Sequence, residues 1–452
     1  MKKNVFLSLV VILLITSTNF LSAQSDYNGF NLKDYYTPDI VRNSLEFNLS
    51  LYGNSSNYIN LLDNETYRSS SSEFHLNNTN ISFSNLKNTR KKISTIGLGL
   101  NPSLDYYKYS HGDTLFTFTH SEGAHWNNRL YYNPKYFITY NVSLSHNGNY
   151  DKSNVYGINK NSNVNFRPTV GWGKGRIESV KDARQTIYIL DELKKNGVLS
   201  RDMTKDEIFE FAQLISTVKN KRFLDSRLHR IDEITTIDNY LKKKDVLSNT
   251  DAAYFTTLYD MWEYGDLFDR NSGAVFSLNV SPLINYQWDY SKLSSSDALD
   301  NQYFSYGAAA EIGFNYSKPV KLNWQHDFSV NLDFGFENYK NLKNTEFSLS
   351  YFPYGGLNYK LGYYPNTRTN IYAQTRYNVS YSKTKDVSGY ELNNVVNLGG
   401  GMNYYVSQNL RLSADLNLTN FYREAKSPDN NHFRNQKHLN FNYGFTMSYL
   451  FF

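Results

Sequence analysis

The dominant pattern along the chain is an alternation of apolar and polar residues with period two. In "SLEFNLSLY", Leu45, Phe47, Leu49 and Leu51 fall on one face and Glu46, Asn48, Ser50 and Tyr52 on the other. "FSVNLDFGF" sets Phe328, Val330, Leu332, Phe334 and Phe336 against Ser329, Asn331, Asp333 and Gly335. "RLSADLNLTN" sets Leu412, Ala414, Leu416 and Leu418 against Arg411, Ser413, Asp415 and Asn417. Successive strand side chains point to opposite faces, so these runs predict strands with one apolar and one polar side. About fourteen such runs can be counted: 43–53, 74–85, 92–109, 114–122, 134–147, 159–173, 273–290, 301–317, 322–339, 344–363, 370–383, 390–405, 409–422 and 437–452. Many are longer than an ordinary strand of five or six residues, and tilted strands of that length can cross an outer membrane.

The linkers alternate in kind. "SKPVK", "PNTR" and "VSQN" are short, as periplasmic turns are; 54–73, 291–300 and 423–436 are long and polar, as outer loops are. An unpaired backbone polar group costs several kcal/mol in hydrocarbon, so a membrane sheet must join its own edges. The expected fold is therefore all-β: a closed antiparallel transmembrane β-barrel of about 14 strands, with both ends on the periplasmic side.

The alternation stops between Lys174 and Tyr264 and a helical period takes over. These 91 residues hold 16 Lys/Arg and 16 Asp/Glu but only five of the 40 tyrosines. Ala183, Ile187, Leu190 and Leu193 make one stripe; Gly197 is a stop signal. Thr204 and Glu207 have capping-box spacing ahead of Ile208, Phe211, Ala212, Ile215 and Val218. A third helix is expected from Asp225 through Leu228, Ile231, Ile234 and Leu241, and a fourth over 251–262. The expected division is a signal peptide (1–23), an N-terminal periplasmic segment (24–42), strands 1–6 (43–173), a small α-helical insert (174–265) and strands 7–14 (266–452). Six crossings return the chain to the periplasmic side, so the insert should hang there or fold into the barrel mouth as a plug.

Composition supports a two-faced sheet. Aromatic residues make up 16% of the 452, yet mean hydropathy is −0.58. The absence of Cys excludes disulfides and thiolate metal sites. A net charge of +5 is modest at this length, and no nucleic-acid partner is expected. Lys2 and Lys3, the apolar run Val5–Ile15 and the small residue Ala23 read as an export signal cleaved before Gln24.

In the closing stretch "NYGFTMSYLFF", Asn442, Gly444, Met447 and Tyr449 follow an order that resembles the C-terminal β-signal of Gram-negative outer-membrane proteins. Phe451 continues the apolar alternation, although Leu450 to Phe452 extend past the commonest form. That resemblance implies an outer-membrane location and recognition by the barrel-assembly machinery. The segment "GKGRIESVKDARQTIYILDELKKNG…SRLHRI" resembles a stretch of uncharacterised outer-membrane proteins of Bacteroidetes-type bacteria, with no activity attached. The chain is also distantly similar to the barrel half of a TonB-dependent receptor, but with fewer strands and no plug domain.

Chemistry is sparse. "GWGKG", Gly171 to Gly175, lacks the rest of a phosphate loop and reads as glycines that turn the chain out of strand six. The nine histidines are scattered, and His120 with His125 on a loop is a weak metal signal. There is no Gly-x-Ser-x-Gly elbow. No enzyme activity, cofactor or metal is expected. On the polar face, Arg167, Glu311, Asp327, Arg376 and Asp415 are expected five or six residues from the periplasmic strand ends. There they would form either a mixed-charge constriction or a salt-bridged lumen wall that only holds the barrel round. The expected function is a pore for small hydrophilic solutes, plugged or gated by the insert. The alternative is an outer-membrane anchor or assembly component whose helices at 176–262 bind a periplasmic protein. Outer-membrane lipid and lipopolysaccharide are expected partners in either case.

Overall fold

The computed structural model describes residues 29–449, apart from 63–64, 110–111, 156, 222–225, 266, 294–296, 344–346, 386–388, 408–409 and 427–432. Fifteen strands form one antiparallel sheet. They are β1 (Ile40–Leu62), β2 (Glu65–Asn88), β3 (Lys92–Tyr109), β4 (Thr114–Tyr131), β5 (Tyr136–Ser153), β6 (Gly157–Ser179), β7 (Asn271–Lys292), β8 (Leu299–Val320), β9 (Trp324–Asn341), β10 (Ser348–Tyr351), β11 (Tyr354–Tyr363), β12 (Thr369–Thr384), β13 (Tyr390–Tyr405), β14 (Leu410–Lys426) and β15 (Phe433–Tyr449). Each pairs with its chain neighbour, except where β10 and β11 both lie between β9 and β12. Among the described residues no register joins β1 to β15. The export signal, and Leu450 to Phe452 of the terminal motif, lie outside the described residues.

Two expectations about strand number and loop extent need correcting. Among the described residues the count is fifteen rather than about fourteen, because the run 344–363 divides at Phe352–Pro353. Pro353 has no N–H for the ladder. The Phe352 ring also folds over β9, where a Cβ on Gly335 would sit 2.0 Å from it. Secondly, much of the stretch 54–73, expected as a long outer loop, is a hairpin whose ladder continues to Leu62 opposite Glu65. Its serines and asparagines can pair across a wet hairpin, so polarity alone did not mark a loop.

The sheet curls. Arg176 on β6 donates to Asn88 Oδ1 at the end of β2 (2.6 Å), past three intervening strands. On the concave side Tyr131, Phe137 and Val275 cluster with Ile93 and Ile177, joining β3 to β7 near the short-turn end. The glycines of "GWGKG" do not end β6, which runs on to Ser179. They make room instead: a Cβ on Gly173 would lie 2.2 Å from the Phe137 ring.

The faces separate as the alternation predicts. Leu45, Phe47, Val170, Val280, Phe334, Leu416 and Phe445 are all exposed on the convex side. The concave side carries cross-strand polar bonds such as Thr419 to Asn397 (2.6 Å) and Arg423 to Glu391 (2.7 Å). Rings gather at two levels of the convex face. Tyr132, Tyr136 and Trp172 stack near the short-turn end, where Trp172 Nε1 donates to the Tyr132 hydroxyl (3.0 Å). Trp288 and Tyr290 mark the other level, Trp288 pairing with Ser162. Trp172 and Ser162 are ten residues apart on β6. At ~3.3 Å per residue and about 40° of tilt, that spans ~25 Å along the axis, the height of an outer-membrane apolar band.

Between β6 and β7 lie four helices: α1 (Lys181–Lys195), α2 (Lys205–Asn220), α3 (Ser226–Lys243) and α4 (Ala252–Tyr264). Ala183, Ile187, Leu190, Leu193, Ile208, Phe211, Ala212 and Ile215 form their shared core, as their spacing predicts. Thr204 and Glu207 make the expected capping box. Ile231 departs from expectation and is 77% exposed. Phe30, Leu32 and Tyr35, on the segment before β1, complete this core; nothing in their spacing identified them.

Candidate functional site: the capped end of the sheet

The insert and the short turns lie at the same end of the sheet, and a buried polar seam joins them. Arg270, fully buried just ahead of β7, donates to the carbonyls of Leu322 (2.5 Å) and Trp324 (2.5 Å) and to Gln325 Oε1 (2.9 Å). It thereby ties the return from the helices to the β8–β9 turn. Arg368, in the β11–β12 turn, bonds Asp260 on α4 (3.0 Å) and lies over the Tyr264 ring (3.7 Å). Phe268 packs on Tyr364 and Tyr405, and Arg184 of α1, also fully buried, donates to the Phe268 carbonyl (3.0 Å).

The other side of the end is clamped by Glu178. It accepts from Arg90 in the β2–β3 turn (2.8 Å) and from Thr37 (2.9 Å), and pairs with Arg176 (2.8 Å). Arg90 lies over the Tyr36 ring at 3.5 Å, and the Tyr35 hydroxyl donates to the Ala212 carbonyl. The β2–β3, β8–β9 and β11–β12 turns and the end of β13 therefore touch the insert or the segments flanking it. Within the insert, the Arg201 guanidinium and the Thr204 cap hold the Glu207 carboxyl down at about 2. Lys244 lowers Glu210 on the next turn of α2.

The five charges of the expected constriction all fall at inward positions but at different heights. Arg167 is twelve residues from Ser179, Glu311 nine from Val320, Arg376 seven from Thr369, Asp415 five from Leu410 and Asp327 three from Trp324. They do not make one ring. A long β6 lifts Arg167, and turn length alone could not fix the level of each strand end. Asp327 accepts from Gln325 (3.0 Å) and stands opposite Lys360.

On β15, Tyr443, Phe445, Met447 and Tyr449 are exposed on the convex face with Phe441, while Asn442 and Gly444 stand opposite Asn417 and Asp415 on β14. Phe451 lies outside the described residues.

Histidines are where sequence spacing misled. His120 does not meet His125, whose ring lies on the concave side under Gly97. It meets Glu122 and His146 instead, across the β4–β5 pairing. His75 is satisfied by Asp105 (2.5 Å) and stacks on Tyr52. Strand register, which brings Glu122 opposite His146, was the missing signal.

No protein-family model matches the chain, and no curated protein matches it. Solved structures give loose likenesses. The β domain of the Bordetella autotransporter BrkA is 8% identical with a TM-score of 0.25, covering 75% of this chain and 93% of that one. OmpT, an outer membrane protein of Vibrio cholerae, is 8% identical with a TM-score of 0.26, over 90% and 98%. The TodX monoaromatic hydrocarbon channel is 8% identical with a TM-score of 0.30, over 91% of each.

Proposed function

We propose that this chain is an outer-membrane β-barrel whose polar interior is a pore for small hydrophilic solutes, closed at its periplasmic end by the helical insert. In this reading β1 and β15 meet in the bilayer, because hydrocarbon does not tolerate two bare sheet edges. The apolar band and its two aromatic levels support the membrane placement. The observation that carries the gating is the seam: Arg270, Arg368 and Glu178 fasten the insert to turns spread around one end. Beneath it the Tyr131–Phe137–Val275 cluster fills part of the concave wall. Such a closure opens by releasing a few charge-assisted bonds, without unfolding a strand.

The test is single-channel recording in planar bilayers, with the intact chain and with a form in which 181–264 are replaced by a short turn. The intact protein should conduct weakly or in brief openings, and the excised form steadily. Silence from both would end the proposal.

A second reading makes the barrel an anchor whose helices hold a periplasmic protein. Ile231 on α3 and Phe255 and Tyr259 on α4 favour it, being apolar yet exposed on the insert. Ile231→Asp with Phe255→Asp would leave conductance unchanged and abolish partner capture if the anchor reading holds.

A further inference from the structure

The convex face of β4 to β6 holds a side-chain cluster that the pore reading does not use. His120 Nδ1 lies 2.7 Å from Glu122 Oε1, and His146 Nδ1 lies 2.9 Å from Glu122 Oε2. The candidate ligand atoms of all three residues lie within 4.8 Å of one another. The second contact has no hydrogen-bond geometry: Glu122 Oε2 is shielded from solvent and, among the described residues, accepts no hydrogen bond. Two imidazole nitrogens converging on one carboxylate, with one of its oxygens shielded and unpartnered, is the arrangement that a cation would organise.

The surroundings favour it. A Cβ on Gly148 would come within 2.2 Å of His120 Nε2, so glycine there admits the ring. His146 Nε2 is engaged by Ser162 Oγ (3.0 Å), an outer partner that fixes the ring and leaves Nδ1 facing Glu122. On the short-turn side the cluster borders a hollow of about 410 Å³ lined by Leu45, Phe83, Leu98 and Leu144. An apolar flank strengthens the pull of the three ligands on a cation.

We propose that His120, Glu122 and His146 bind one divalent transition-metal ion, with zinc as the reference case, on the outward face at the level of the outer aromatic belt. Two imidazoles and a carboxylate suit zinc, and three protein ligands leave a coordination position for water or an outside oxygen. Zinc–ligand bonds of ~2.0–2.1 Å need only a slight opening of the two short contacts.

Protein purified in detergent, stripped with EDTA and dialysed against ZnCl2 should retain one zinc per chain, measured by mass spectrometry and titration calorimetry. His120→Ala with His146→Ala should weaken binding by roughly 100-fold or more, and Ser162→Ala by roughly tenfold. His125→Ala, on the opposite face, should bind as the unaltered chain does. Heat-modifiable gel mobility separates lost ligands from lost fold. Zinc retained in full by a folded double variant overturns the site. No zinc on the unaltered chain also overturns it, and leaves a hydrogen-bonded ion pair only.

Discussion

Arg270 holds the β8–β9 turn and Glu178 the β2–β3 turn through charge-assisted bonds, so single substitutions there should loosen the insert while leaving the strands paired. Arg270→Ala would strand at least two carbonyl acceptors in a buried site, at a cost on the order of 3 kcal/mol. Limited proteolysis of the folded protein should then cut within 180–270 at least tenfold faster. Glu207 yields a pH prediction. Its folded-state carboxyl is held near 2, below the ordinary value near 4.3. Its contribution is therefore fully present above the ordinary value and fades as pH falls toward 2. Helical circular dichroism should decline over that window, and Glu207→Gln should flatten the dependence. Thr204→Ala removes the reciprocal cap and should cost about 1 kcal/mol.

At the level of elements, facing is the property to test. Phe445 lies on the convex face of β15, Asn442 on the concave face. Phe445→Lys should cost about 2–4 kcal/mol if that face meets lipid, and Asn442→Lys much less. Folded yield in detergent, read by heat-modifiable mobility, distinguishes them. Most of this level was legible beforehand, since period-two alternation names a strand and its greasy side at once. Alternation cannot say where a polar hairpin stops climbing, which is why β1 and β2 extend past the expected loop. Helix stripes were equally plain for α1 and α2. Ile231 was misread because its helix packs by a narrower face than the apolar spacing suggested. Cross-strand neighbours such as Glu122 and His146 stayed hidden, because they depend on register between segments and not on spacing within one.

At the scale of the molecule, the insert is continuous with β6 and β7 and bonded to turns elsewhere around the end. The proposed closure should therefore respond to cross-linking. The chain has no cysteine, so Arg368→Cys with Asp260→Cys introduces the only two thiols. A short bis-maleimide joining them should hold conductance at its closed value, and the same reagent should leave the conductance of either single variant where it was. Free conductance after complete cross-linking would show that solutes bypass the insert.

Phe30, Leu32 and Tyr35 sit inside the helical core although six long strands separate them from it along the chain. The leader thus acts as a chord strung from the first crossing to the midpoint of the polypeptide. An ordering of assembly follows. The first half can draw itself into a stapled arc, its lower rim already set, before the second half is threaded in. Trimming the leader up to Tyr36 should hence slow insertion more than it harms the finished protein.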